Sequence, residues 1–555
     1  MRRLTRFLFS LVLGLNLSQR GAGRIAGAED DLGTIRFEVS GSTAAQAHVI
    51  RGVKLVHHMM YEQADREFAA AAAADPSCAL AHWGRAMTLI HPVWPDSPSA
   101  ADLERGAAFV ERGLASPPRT DRERAYLETL GRFYRADASM PYSRRLQELD
   151  TAWAQLARAY PDDMDAQAFA ALFHLAPVRF LPKDKSSRAQ IEAAGQLETV
   201  LSRIPDHPGA QHYKIHAYDF PLLADRALEV CSTYGAIAPD VPHALHMPTH
   251  IYTRRGLWDK SIEFNLLSAS AARKIDVAAG ALSGHLPHAL DYLAYAYLQR
   301  GQYSNADGVR RELAACTGPY APTQHMQMAF ALAAVPARFA LERQAWLEAA
   351  ELPLHQPAAF PWGRAFINCD SITHFARAIG SARSGRLDAV RTELVALERI
   401  HAQLSDSNRT SYWTAQAETQ LLAARAWLAA VEGQLELGIE LMRRAAALEA
   451  TADKEAVTPG EVLPAGDLLA DMLLEGNRPA EALAAYAAVL EVSPNRLYTL
   501  YGAGVAAEQA GDMERAHRYF TQLAEVARES DAGVERVGYA RAFLERESGS
   551  GVSGN

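Results

Sequence analysis

Seven of the chain's 19 histidines fall between His212 and His288, and six of them share one repeating spacing. His212 and His216 stand in HYKIH, and His243, His246 and His250 in HALHMPTH. His288 stands in HLPHALD, with His285 just ahead. Neutral imidazole is the commonest metal-binding side chain and suits zinc, copper, iron and nickel. Two histidines four apart on a helix share a face, about 5–6 Å from each other, and make a ready pair of ligands. The chain has two such pairs, His212/His216 and His246/His250, with His243 one turn before the second. Asp219 and Asp291 can ligate directly or orient an imidazole through its other nitrogen. Imidazoles gathered in one groove predict a metal ion, an anion or acid–base chemistry.

The elements that must position them come from a repeat. The phrase Gly-x-(aromatic, Leu or Met)-x-x-(small or Val) recurs as Gly256, Trp258, Ser261; Gly301, Tyr303, Ala306; Gly385, Leu387, Val390; and Gly511, Met513, Ala516. Ala193, Ala227 and Ser261 are 34 residues apart, as are Ala482 and Ala516. Ala64, Phe68, Ala71 and Pro76 share their spacing with Ala227, Cys231, Tyr234 and Pro239, and with Ala482, Tyr486, Val489 and Pro494. A glycine ends the first helix, the small residue lets two helices approach, and the proline closes the unit. Ala, Leu and Arg favour helix throughout, and no alternating stretch argues for a sheet.

This pattern resembles the tetratricopeptide repeat, a 34-residue helix hairpin. It predicts an all-α, right-handed superhelix of antiparallel hairpins over residues 43–545, with an inserted loop around 275–283. Units begin at Pro208, Pro242 and Pro287. The resemblance implies that positions 2, 5, 9 and 12 of each first helix face the concave groove. His212, His216, His243, His246, His250 and His288 occupy such positions, together with Asp219, Asp291 and Tyr295. The passage HYKIHAYDFP…APDVPHALHMPTHIYTRRGLWDKSIEFN, with DPSCALAHWG at 75–84, is also similar to a subfamily of bacterial tetratricopeptide proteins. Pro248 leaves two geometries open. It kinks the helix that carries His243 to His250, or that helix begins near Met247 and leaves His243 and His246 in a loop.

Length and charge narrow the function. A chain of 555 residues needs repeats or several cores. The formal charge of −9, with no basic stripe, argues against a nucleic-acid partner. Arg2, Arg3 and Arg6, the apolar run 7–17 and Ala26-Gly27-Ala28 read as a secretory signal over 1–28, hence a periplasmic or secreted protein. Its removal takes away five arginines and no acid, moving the formal charge from −9 to −14. Residues 29–42 read as a linker and 546–555 as a disordered tail. Cys78, Cys231, Cys316 and Cys369 show no CxxC pairing and read as small buried hydrophobes. HExxH, the P-loop, the dinucleotide glycine fingerprint and GxSxG are absent.

The expected site therefore lies in 208–300. Its metal ligands are His212, His216, His243, His246, His250, His288 and Asp291, with Asp219, Tyr295 and Arg254 supporting them or meeting substrate. The expected ion is copper or zinc, serving an oxidoreductase or hydrolase that acts on a small molecule. The alternative is a non-catalytic scaffold that binds an acidic peptide or protein in its concave groove.

Overall fold

The computed structural model describes residues 31–550, except 95–96, 117–119, 182–183, 322–324, 407–410 and 453. The expected secretory signal lies outside the described residues, as do the last five residues of the expected tail. Twenty-five α-helices make up the described chain, without a strand; one isolated bridge joins Leu282 and Tyr320. Each helix packs chiefly against its neighbours in sequence, so the fold is an all-α, tetratricopeptide-like stack of hairpins. No helix among the described residues is long and apolar enough to cross a membrane.

The repeat logic is visible in the packing. Ala64, Ala193, Ala227, Ser261, Ala306, Val390, Ala482 and Ala516 are all fully buried, at the points where paired helices approach. Gly256, just past the helix Pro242–Arg254, is left-handed (φ +61°), and a Cβ there would stand 2.3 Å from the Pro494 carbonyl oxygen. That second contact belongs to long-range closure. The Trp258 indole donates to Asn495 O (2.8 Å), Leu497 N to Gln299 Oε1 (3.0 Å), and Ser304 N to the Asp531 carboxylate (2.6 Å). The C-terminal hairpins thus fold back onto the middle of the stack. All four cysteines are buried, and none forms a disulfide among the described residues.

Two boundaries differ from expectation. Residues 31–42 are not a free linker: Leu32 and Phe37 are buried, and Phe37 packs between Trp83 and Tyr126. Ser40 N donates to Glu123 (2.7 Å) and Thr34 N to Asp206 O (3.2 Å), so the segment is a strap across early hairpins. At the other end the last helix runs Glu535–Ser550, past the expected boundary at 545. Two hydrophobic anchors and backbone hydrogen bonds explain the strap.

Candidate metal centre

Three first helices of neighbouring hairpins carry the histidines: Pro208–Tyr218, Pro242–Arg254 and His285–Gln299. Each has a proline in its first turn, where the missing N–H costs nothing. The first is also capped by a side chain, because His207 Nδ1 accepts from Ala210 N (3.1 Å). Pro248 lies inside an unbroken helix, so His243, His246 and His250 sit at successive turns of one face.

The six rings fall into two trios. His212, His216 and His243 form one and His246, His250 and His288 the other, with ligand atoms in each within 4.8 Å of one another. The central helix bridges them, giving His243 to the first trio and His246 and His250 to the second. Rings of different trios stay close: His216 and His250 are 6.4 Å apart and His243 and His246 6.5 Å, centroid to centroid. Within the first trio His212 Nε2 is 3.1 Å from both His216 Nε2 and His243 Nε2. In the second, His246 Nε2 and His250 Nε2 are 3.0 Å apart. Nitrogens about 2.0–2.1 Å from a shared ion stand about 2.9–3.4 Å apart at angles between square and tetrahedral.

The opposite edges of the rings are held by the fold. His212 Nδ1 donates to the His57 carbonyl (2.7 Å), His246 Nδ1 to Asn265 Oδ1 (2.8 Å), and His250 Nδ1 to Asp219 (2.9 Å). Asn265 presents its oxygen to His246 because its amide nitrogen donates to Ser261 O (2.8 Å). Nδ1–H is thereby committed on both His246 and His250, and each turns an Nε2 lone pair toward the other. Burial pushes all six imidazoles below their usual value near 6.5, His216 to about 3. A proton between these nitrogens is therefore disfavoured.

The remaining expected residues divide. Asp219 receives Arg254 Nε (2.9 Å) and Lys454 Nζ (3.0 Å) besides His250, so it orients a ring and anchors two cations. Arg254 also donates to Asp219 O (2.9 Å). Asp291 belongs to neither trio. It pairs with the buried Arg338, and burial raises its carboxyl to about 6 against that pairing. Tyr295 lies farther still, its hydroxyl receiving Arg496 Nη1 (2.6 Å). The helical stripe that starts at His288 runs out of the centre within one turn. Tyr292, four residues after His288, is the helix's aromatic contact instead, its ring 4.7 Å from His246 and 4.9 Å from His250.

A third group resembles the trios but differs in its protons. His57 Nε2 lies 2.9 Å and His207 Nε2 3.4 Å from Asp165 Oδ1, all three buried. Because His207 Nδ1 accepts from Ala210 N, its Nε2 carries the proton and faces the carboxylate. Burial alone would raise Asp165, yet the two imidazoles hold it below the usual carboxylate range. This is a hydrogen-bonded buttress: His57, stacked on Phe169 at 4.5 Å, presents the carbonyl that fixes His212.

A segment from the far half of the chain covers the centre. Lys454 reaches Asp219, Tyr292 donates to Thr458 O (2.9 Å), and Arg338 donates to Thr458 Oγ1 (2.9 Å) and Gly460 O (2.8 Å). Beneath it a space of about 20 Å³ touches Trp94, His216, His243, His250, His285 and His288. That holds about one water-sized ligand.

No family model matches the chain, and no curated protein matches it. Among solved structures it is similar to a human IFIT1 dimer with PPP-AAAA, at 10% identity and a TM-score of 0.36, covering 87% of this chain and 91% of that one. It is also similar to Naa15/Naa10 bound to HypK-THB, at 13% identity and a TM-score of 0.23, covering 92% and 74%. Likenesses this distant say nothing about what the chain binds.

Sequence reasoning did not find Asn265, Tyr292, Lys454 or the His57 carbonyl. Lys454 lies 235 residues from Asp219, and a backbone oxygen leaves no mark in residue type. Asn265 did carry a signal. It sits at a helix–helix position of the repeat where a large apolar residue is expected, and there it is fully buried.

Proposed function

We propose that the two histidine trios bind two divalent metal ions, copper or zinc, side by side, and that the centre serves an enzyme acting on a small molecule. The reading is carried by His246 and His250. Their Nε2 lone pairs face each other at 3.0 Å with both Nδ1–H groups already committed, an arrangement that a cation between them stabilises. Hydrogen-bonded outer nitrogens are what metal-bound imidazoles generally show. Ions with an open position can polarise a substrate oxygen, activate water or engage dioxygen. Five of the six histidines are buried and the segment 454–460 crosses the centre, so a peptide laid along the groove would not reach them. This disfavours the peptide-scaffold reading. The N-terminal pattern at 1–28 supports export as part of the same proposal.

Elemental analysis of untagged protein, reconstituted with Cu or Zn and dialysed, tests the reading. About two equivalents per chain are expected. Less than about 0.2 equivalents, unaltered in a His246→Ala/His250→Ala variant, would sink it.

A further inference from the structure

A cavity of about 1370 Å³ is lined in part by Trp94, whose ring also stands near the histidines. Trp94 and Gln327 line both this cavity and the small space over His243, His285 and His288. The Trp94 ring stands 6.2 Å from His243 and 6.5 Å from His285, and 5.1 Å from both Tyr61 and His91 on the cavity wall. Trp94 and Gln327 thus form a wall shared by this cavity and the space over the histidines.

The cavity wall carries two chemistries. Phe109, Tyr142, Phe180 and Trp413 join Tyr61 and Trp94 in offering flat apolar surface. Four arginines, Arg85, Arg105, Arg145 and Arg179, line the same space. Arg85 is matched by Asp65 (2.9 Å) and Arg105 by Asp102 (2.5 Å), and Glu62 is the third carboxylate of the wall. Arg145 and Arg179 form no ion pair among the described residues. Arg145 donates to the carbonyls of Phe133 (2.7 Å) and Asp137 (2.5 Å). Arg179 donates to the carbonyl of Trp94, lies 4.8 Å from the centre of the Phe180 ring, and has a buried Nε without a hydrogen-bond partner among the described residues. Arg179 also lines a space of about 160 Å³ that runs past His216, Asp219 and Lys454. Arg179, without an ion pair among the described residues, therefore lines both spaces.

We propose that this cavity is the substrate pocket of the histidine centre and takes a small aromatic carboxylate. The ring stacks among the aromatic side chains and the carboxylate docks on Arg179. The inference rests on the metal reading above. Guanidinium matches carboxylate in planar, two-pronged fashion, which sets orientation as well as affinity. Two ions held only by neutral imidazoles would add positive charge on the same side, so an anionic ligand suits both walls.

The test titrates 2-naphthoate, with neutral 2-naphthylmethanol as its partner probe, into the full chain, following heat and tryptophan fluorescence. Both are repeated after chelation, and metal content is measured on the same preparation. The proposal expects saturable naphthoate binding about tenfold or more tighter than the alcohol. Arg179→Gln should abolish that preference, and chelation should leave it in place. Equal binding of the two probes, or no binding by metal-loaded protein, would overturn the pocket and leave the metal reading standing. Naphthoate binding that chelation removes and Arg179→Gln spares would place the anion on metal and overturn the Arg179 assignment. Binding by protein that takes up no metal would overturn both the metal reading and the substrate role. If Arg179→Gln fails to fold, the comparison of the two probes on the natural chain still decides.

Discussion

At the scale of single residues, His212, His246 and His250 are each fixed by what their Nδ1 touches. Replacing Asn265 with Leu keeps the helix and removes the acceptor that turns His246 toward His250. Metal affinity, read by competition with a chromophoric chelator, should fall about 10–100-fold, as is usual when such a partner is lost. Asp291→Asn supplies the contrast. Its metal content should be that of the natural chain. Its stability should fall by about 3–5 kcal/mol, because Arg338 is left buried without its carboxylate. A denaturation series with metal analysis at each end separates the two effects, and metal loss on Asp291→Asn would restore the carboxylate as a ligand. His212 to His288 were legible in the sequence because residues three and four apart must share a helical face. Asp291 and Tyr295 shared the same lattice but point past the trio, and lattice position alone does not say how far along a helix the centre extends.

At the scale of elements, the helix Pro208–Tyr218 must pass close enough to His57 for its carbonyl to meet His212. Gly209 makes that approach possible, since a Cβ there would stand 2.2 Å from His57 Nδ1. His57 cannot yield easily, being buried between Phe169, Asp165 and Tyr213. Gly209→Ala should therefore cost about 1–3 kcal/mol of stability by overpacking and weaken metal retention in the first trio first. Unchanged stability by chemical denaturation would show that His57 has room to move. The hairpins themselves were readable from the 34-residue spacing, including the buried small residue at each crossing. The strap at 31–42 and the covering segment at 454–460 were not, because neither has a period and both are held by partners far away in sequence.

At the scale of the whole molecule, burying so many imidazoles couples folding to pH. Burial lowers His57 and His285 to about 4 and His58 and His216 to about 3, from an unfolded value near 6.5. Below pH 6.5 the unfolded chain binds protons that the folded chain refuses, so stability is complete above that pH and falls as the pH drops toward 4. Each such group contributes about 1.4 kcal/mol per pH unit within the window. The metal-free protein should therefore lose thermal stability steeply between pH 6.5 and 4. A flat Tm across that window would mean the rings are charged or exposed in solution. The superhelix was legible as a fold; its closure, through which residues near 454 and 495 reach the middle hairpins, was not, since the repeat specifies neighbours and leaves long-range contacts open.

The claim that the two trios are separate, adjacent ion sites is tested most directly by counting metal trio by trio. His212→Ala/His216→Ala and His246→Ala/His250→Ala variants, reconstituted and dialysed alongside the natural chain, should each retain about half of its metal. Retention of the full amount by both variants, or none in the natural chain, would contradict the account.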